Sequence, residues 1–182
     1  MTLLKSLPTN GTLLDVFKNF PGTARHLINY HEVLLRGPSP LSIAERELIA
    51  AFVSGLNACA YCHGIHTVTA ERFGISEGLL QSLIHNVETA AIDPRLRPIL
   101  HLVRKLSTLP TKILKADADA IYKAGWNEAA LHDAVAICAL FNFMNRYVEG
   151  LGISADAPYF QLSGERLHRD GYAGLLQQLP DV

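Results

Sequence analysis

The sequence predicts an all-α fold, a single-domain bundle of about eight helices. Apolar residues recur at helical spacing through most of the chain, and no segment alternates strictly between apolar and polar residues. The pair Asn10-Gly11, which is typical of hairpin turns, precedes a helical pattern instead of joining two strands. Of the 182 residues, 49% are hydrophobic, so the chain can bury one substantial core.

Capping and breaking residues divide this pattern into helices joined by short connections. Pro-Gly at 21–22 ends the first helix, and Gly-Pro at 37–38 ends the second. Ser42 and Glu45 form a capping box that begins the third, and Asn127 caps the longest helix. The predicted helices cover about 13–20, 23–35, 42–57, 59–74, 76–85, 93–106, 116–124 and 127–150.

The last part of the chain, 154–182, is rich in turn-forming residues. We expect one helical turn there, near Ala173–Leu179. The predicted organisation is therefore one domain over 1–182, with its core at about 41–153 and a C-terminal tail that packs on a neighbouring subunit.

Composition and charge exclude several classes of function. Sixteen basic residues against seventeen acidic ones give a net charge of −1, which argues against a nucleic-acid partner. The most apolar stretch, 133–144, is too short to cross a bilayer, and the first residues lack the pattern of a secretion signal. We therefore expect a cytoplasmic protein with no membrane partner. In that compartment a structural disulfide framework is not expected, and Cys138, alone in an apolar run, is interpreted as a core residue.

One short segment concentrates the reactive side chains. Cys59, Cys62, His63 and His66 fall within the sequence CAYCHGIH. At about 100° per residue, Cys59, Cys62 and His66 share roughly a sixth of the helix circumference, so they can form one group on one face. The cysteines begin the helix, where the helix dipole favours a thiolate, and a neighbouring imidazole favours it further.

Glu47 lies on the preceding helix, and its neighbours at helical spacing are small or apolar. This pattern favours an inward carboxylate, whose pKa burial would raise enough for proton exchange near neutral pH. The alternative is a surface glutamate that pairs with Arg46.

Other chemistries can use the same residues. The sequence Cys-x-x-Cys-His also matches a haem attachment site, but no export signal is visible and the chain has only two methionines. A zinc ion could take Cys59, Cys62 and His66 as ligands, with Glu47, His63 or water as the fourth, although no second ligand pair is present. The two cysteines could also be ordinary core residues. These alternatives stay open beside a redox dithiol.

The pattern of Glu47 followed by Cys59-x-x-Cys62-x-x-x-His66 resembles the alkylhydroperoxidase D and carboxymuconolactone decarboxylase superfamily. The stretches SPLSIAERELIAAFVSGLNACAYCHGIHT and LFNFMNRYVEGLGI resemble its peroxidase-related branch, over roughly 41–153. The resemblance implies an all-helical fold, homo-oligomers built on trimers or hexamers, and a thiol-dependent peroxidase or disulfide reductase that needs no metal or other cofactor.

The resemblance also implies a role for each matching residue. Cys59 and Cys62 match the redox pair, and Glu47 and His66 match the proton relay. Tyr61 stands where many alkylhydroperoxidases have a further histidine. His63 follows the second cysteine instead, so Tyr61 and His63 are accessory candidates.

These roles predict an antioxidant peroxidase whose partners are a hydroperoxide substrate and a thiol or dithiol reductant. Resemblance and position favour Cys62 as the thiol that attacks the peroxide. Cys59, expected to be the more exposed, would resolve the intermediate, although the helix dipole alone favours Cys59 as the thiolate. The alternatives are a zinc-binding or redox-sensing module without turnover, and another reaction on the same scaffold.

A polar stripe follows the apolar run of the longest helix. It is interpreted either as a solvated or subunit-facing surface or as a polar wall of the active-site cavity. Its members are Asn142, Asn145, Arg146 and Glu149. The histidines outside the cluster, His31 among them, show no ligand spacing and are interpreted as ordinary.

Overall fold

The computed structural model of the protein describes residues 2–108 and 112–180. These residues form ten α-helices and one 3₁₀ turn at Pro94–Leu96, with no β-strand among them, which confirms the all-α prediction. None of the helices in these ranges has the length and apolar character needed to cross a membrane. The helices are α1 (Leu13–Asn19), α2 (Pro21–Arg36), α3 (Ile43–Leu56), α4 (Ala60–Arg72), α5 (Leu79–His85), α6 (Arg97–Ser107), α7 (Lys115–Lys123), α8 (Glu128–Gly150), α9 (Ala157–Asp170) and α10 (Ala173–Leu176).

The capping residues predicted the starts of α3 and α8 correctly, whereas the start predicted at 76 was wrong, because α5 begins at Leu79 after Gly78. At α3 the Ser42 hydroxyl accepts from the Glu45 N–H at 3.2 Å, and the Glu45 carboxylate accepts from the Ser42 N–H at 2.7 Å. The Asn127 side chain accepts from the Ala130 N–H at the start of α8. These caps satisfy backbone donors that a helix cannot pair within itself, which fixes where α3 and α8 begin.

The C-terminal segment differs from the prediction, because α9 is a 14-residue helix where only turns were expected. Asp156 caps it, and its inner face packs on α4 of the same chain. The two helices meet closely: a Cβ added at Gly164 would lie 2.6 Å from the Val68 side chain. The tail is therefore part of this chain's own core, and its contact with a neighbouring subunit stays a prediction.

Helix α3 lies at the centre of the bundle and packs on α4, α8, α5 and α6. Every residue from Arg46 to Ser54 is buried, and the run Leu48–Val53 is 0% exposed. A helix that is apolar on all sides requires neighbours on all sides, which is the position α3 occupies. Glu47 is consequently surrounded by protein, and any charge on it must be compensated by side chains from other helices.

Candidate active site

The two cysteines begin α4 directly after a tight turn. Asn57 ends α3, Ala58 has a φ of 55°, in the left-handed region, and Cys59 is the N-cap of α4. The Cys59 N–H donates to the Ser54 carbonyl at 3.0 Å, which holds the turn closed. Both thiols are buried, with Cys59 0% and Cys62 3% exposed, so the expectation that Cys59 is the more exposed was wrong.

The two thiols share a hydrogen bond that separates their pKa values. This bond lowers the pKa of Cys59 and, together with burial, raises the pKa of Cys62 well above its usual range. The first proton lost therefore leaves its negative charge on Cys59, and Cys62 keeps the S–H that donates to it. After the first deprotonation, the two sulfurs share one proton and one negative charge. Within the pair, the charge reaches Cys62 when that proton moves to Cys59.

Glu47 is completely buried, and both of its carboxylate oxygens are bound. Oε2 lies 2.7 Å from Nδ1 of His66, while Oε1 lies 2.6 Å from Nη1 of Arg36 and accepts from the Tyr172 hydroxyl at 2.9 Å. Burial alone would raise the pKa of Glu47, but the charges and hydrogen bonds of His66 and Arg36 outweigh it and lower the pKa to about 2. The predicted rise in this pKa was therefore wrong.

The inward orientation of Glu47 was predicted correctly, but its cation was not. Arg46 donates from Nη1 to the carbonyl oxygens of Leu34 and Gly37 and is not the partner of Glu47. The cation is Arg36, at the end of α2, whose guanidinium lies over the ring of Tyr172 at 4.9 Å.

An ionised Glu47 fixes the state of the His66 ring. Because the carboxylate can only accept, Nδ1 of His66 must carry the proton of their hydrogen bond. Nε2 is then the nitrogen left to accept a proton or to donate one. Glu47 thus acts as a fixed anion that orients the imidazole and stabilises its cation, rather than as a group that itself gains and loses protons.

A cavity of about 70 Å³ gives access to Cys62 and His66, both of which line it. Its walls are mainly apolar and aromatic, and they include Phe17, Ile28 and Phe141. Neither Cys59 nor Glu47 lines it. A molecule in this cavity would therefore meet the sulfur of Cys62 and the imidazole of His66 together.

The structure separates the two accessory candidates. Tyr61 lines the same cavity, and its hydroxyl lies 3.0 Å from the hydroxyl of Tyr159. His63 faces away from it: its Nδ1 donates to the Ala51 carbonyl at 2.9 Å, and it lines a different pocket with His85. His63 is therefore not part of the group formed by Cys62 and His66.

The zinc alternative finds no support in the side-chain arrangement. Among residues 2–108 and 112–180, no three or more His, Cys, Asp or Glu side chains converge as a metal site. Nδ1 of His66 is held by Glu47, the oxygens of Glu47 are held by Arg36 and Tyr172, and His63 points elsewhere.

The polar stripe on α8 is divided between the site and the surface. Asn145 is buried, donates to the Ser54 hydroxyl at 3.0 Å, accepts from Asn57 at 2.8 Å and hydrogen-bonds Cys62. Arg146 is exposed and donates to Asn142. Asn145 therefore lies beside the dithiol without lining the cavity, and Arg146 lies at the surface. Glu149 acts on the Cys59 thiol through a hydrogen bond and its charge.

Three residues at the site carry no signal of function in the sequence. The position of Arg36 in the sequence indicates only an ordinary cation at a helix end, and Tyr172 lies in a segment rich in turn residues. His31, interpreted as ordinary, lines the cavity; burial lowers its pKa to about 4, so its ring is neutral near neutral pH. What places them at the site is the packing of α2 and of the C-terminal segment, which no local pattern encodes.

A protein family and several known proteins are similar to this chain. The profile of the carboxymuconolactone decarboxylase family matches residues 21–105, a range that includes Glu47, both cysteines and His66. The chain is similar to the structure of an uncharacterised peroxidase-related protein from a Silicibacter species, with 26% identity, a TM-score of 0.75, and 81% of this chain and 78% of that chain covered. The family match and this structural similarity support the resemblance of the chain to the alkylhydroperoxidase D and carboxymuconolactone decarboxylase superfamily.

Three further proteins are similar to this chain. The alkylhydroperoxidase AhpD core of a peroxidase-related protein from Ralstonia eutropha is 26% identical, with a TM-score of 0.74 and coverage of 82% and 78% of the two chains. The Bacillus subtilis protein YdfG is 27% identical over 114 residues, which is 63% of this chain and 78% of YdfG. The debrominase Bmp8, solved with 2,3,4-tribromopyrrole, shares the fold at 18% identity, a TM-score of 0.71 and coverage of 82% and 79%.

Proposed function

We propose that the protein is a thiol-dependent peroxidase that reduces hydroperoxides through Cys59 and Cys62, with His66 as the group that transfers the proton and Glu47 as the fixed anion that orients His66. The observation that carries the proposal is that Cys62 and His66 line one buried cavity while Glu47 holds Nδ1 of His66 at 2.7 Å. A thiol, a base and the group that orients the base are the parts that nucleophilic catalysis requires.

The first step is attack by the Cys62 thiolate on the distal oxygen of the hydroperoxide. Nε2 of His66 takes the thiol proton, and Glu47 stabilises the imidazolium that results. The S–O bond forms as the O–O bond breaks, and the same proton passes from Nε2 to the departing alkoxide. The products are an alcohol and the sulfenic acid of Cys62.

The second step closes the dithiol. The sulfur of Cys59 attacks the sulfenic sulfur, a disulfide forms and water leaves, so two electrons in total pass from the thiols to the peroxide. An external thiol or dithiol then reduces the disulfide by exchange and is itself oxidised to a disulfide. The shared hydrogen bond supports this order, because it holds the two sulfurs together before the reaction begins.

The pKa order and the cavity point to different cysteines as the first nucleophile. The lowered pKa of Cys59 favours the thiolate there, whereas Cys62 is the thiol that lines the cavity. We give more weight to the cavity, because a thiolate without access to the substrate cannot attack it. In this mechanism the Cys62 thiolate forms when its proton passes to Nε2 of His66, not to Cys59.

The test is hydroperoxide consumption with a dithiol donor. Cys62→Ser is expected to abolish turnover, Cys59→Ser to stop after one equivalent with a sulfenic acid that dimedone traps, and His66→Gln to lower the rate by about 100-fold or more. Cys138→Ser is the matched control, since this buried thiol lies outside the site, beside Ser107. Full activity in both Cys59→Ser and Cys62→Ser would overturn the proposal. A disulfide that forms without peroxide consumption would favour a redox-sensing module.

The proposed assembly is a homo-oligomer built on trimers. Helix α8 supports it by leaving Val135 and Phe143 exposed, at 36% and 51%, on its outer face. Sedimentation of the purified protein tests this part separately from the chemistry.

A further inference from the structure

Arg166, on α9, is a cation in the wall of the apolar cavity that leads to Cys62. The proposed peroxidase chemistry gives it no task, because its mechanism uses only Cys62, Cys59, His66 and Glu47. Arg166 is partly exposed, so water solvates part of its guanidinium, and a carboxylate partner within the protein would neutralise its charge.

Arg166 lacks such a partner in the part of the chain that the structure describes. Its Nε is buried without a hydrogen-bond partner, and its side chain forms no hydrogen bond or ion pair with residues 2–108 or 112–180. Arg36, Arg97 and Arg104 also have a buried Nε without a partner, but each donates from a terminal nitrogen to a backbone carbonyl. Arg166 therefore stands apart from them.

The nearby carboxylates are already occupied. Asp170, one helical turn further along α9, interacts with the charge of Arg166, but both of its oxygens accept hydrogen bonds from Arg169. Glu165 pairs with Arg72. The guanidinium of Arg166 consequently keeps its capacity to bind an anion that comes from outside the protein.

The position of Arg166 is at the entrance of the cavity. The lining residues that are partly exposed are Leu13 and Leu14 on α1 and Tyr159 and Arg166 on α9, whereas Cys62 and the other inner residues are buried. The space between α1 and α9 is thus where the cavity meets solvent. Ser163, which precedes Arg166 by three residues and shares its helix face, also lines the cavity.

We propose that Arg166, with the hydroxyl of Ser163, binds a carboxylate at the cavity entrance, so that the substrate is an apolar hydroperoxide carrying a carboxylate at the end remote from the peroxide. This inference rests on the proposed peroxidase function. A guanidinium presents paired N–H donors that match the two oxygens of a carboxylate, and a serine hydroxyl adds a third donor. The cavity of about 70 Å³ beyond it has room for only a few heavy atoms, so the substrate is a short hydroperoxide whose peroxide group reaches Cys62.

The experiment compares each acid with its methyl ester. The short acid 6-hydroperoxyhexanoic acid and its methyl ester are given to the wild-type protein, and cumene hydroperoxide serves as a substrate without a carboxylate. The wild type is expected to prefer the acid over the ester by about 10- to 100-fold in kcat/KM. Arg166→Met is expected to lose this preference, and Arg166→Lys to keep part of it. Lys115→Met, which removes an exposed cation on α7 outside the cavity, is the matched control and is expected to keep the preference.

The outcomes distinguish failure of the carboxylate site from failure of the proposed peroxidase function. If cumene hydroperoxide is reduced but the wild type treats acid and ester alike, the carboxylate site is overturned and the peroxidase function stands. If no hydroperoxide is reduced, binding of hexanoate to Cys62→Ser is measured by calorimetry. Binding that Arg166→Met weakens about tenfold or more would support the site without the peroxidase, whereas equal binding would overturn the site. Thermal unfolding of each variant shows whether it is folded.

Discussion

Replacing Arg36 with methionine removes the guanidinium that compensates the buried charge of Glu47. Methionine keeps the apolar stem but also loses the contacts of the guanidinium with the rings of Phe73 and Tyr172, which a double variant separates from the loss of charge. Glu47 is 0% exposed and has no route to water that replaces the 2.6 Å contact with Arg36. Breaking a buried ion pair from one side costs about 3–5 kcal/mol, and we expect Arg36→Met to lower the free energy of unfolding by that amount.

The double variant Arg36→Met/Glu47→Gln isolates the charge effect. Glutamine has nearly the shape of glutamate and still accepts the Tyr172 hydrogen bond, but it leaves no buried charge behind. We therefore expect the double variant to lose less stability than the two single variants together, with a coupling of roughly 2 kcal/mol. Urea unfolding at neutral pH, at one protein concentration and with reduced thiols, measures all four proteins. Arg169→Met, which breaks an exposed pair, should change stability little. Additive losses would refute the role of Arg36 as the counterion.

Three further predictions concern the site and the helix that covers it. Tyr172→Phe deletes the hydroxyl that donates to the buried carboxylate and is expected to cost about 1–3 kcal/mol in urea unfolding; an unchanged midpoint would contradict this. Burial lowers the pKa of His31 from 6.5 to about 4, so between these pH values only the unfolded chain binds the proton, and stability should fall by about 3 kcal/mol as pH drops across them. His31→Gln should remove that part of the pH dependence, and a slope equal to that of the wild type would contradict the assignment. Gly164→Ala, whose Cβ would lie 2.6 Å from Val68, should cost about 1–3 kcal/mol, whereas Gly22→Ala, with nothing within 4 Å, should not destabilise the protein; equal effects would contradict the close packing of α9 on α4.

The parts of the site that lie on one helix, or on two consecutive ones, could be predicted from the sequence. Cys62 and His66 share a face of α4 because the helical repeat fixes it, and Glu47 points inward because its neighbours at helical spacing are small or apolar. These are local relations, and the sequence contains them.

The parts that depend on distant segments could not be predicted. The sign of the Glu47 pKa shift is set by the cations around the carboxylate, and Arg36 comes from a different helix. Tyr172 contacts Glu47 across 125 residues, so no spacing rule connects them. Helix α9 was missed for a similar reason: its glycines and serine are weak helix formers, and it is held by packing on α4 rather than by propensity.

The contact between Tyr172 and Glu47 also determines the order in which the site can form during synthesis. A chain grows from its N-terminus, so Cys59, Cys62 and His66 leave the ribosome well before Tyr172 does. A nascent chain that has passed α4 already holds the dithiol, but Glu47 is not yet in its final hydrogen-bonded state. In the proposed mechanism, peroxide that reaches the thiols in this interval meets them before Glu47 has its final contacts, so turnover would require the C-terminal segment to be folded back onto α3.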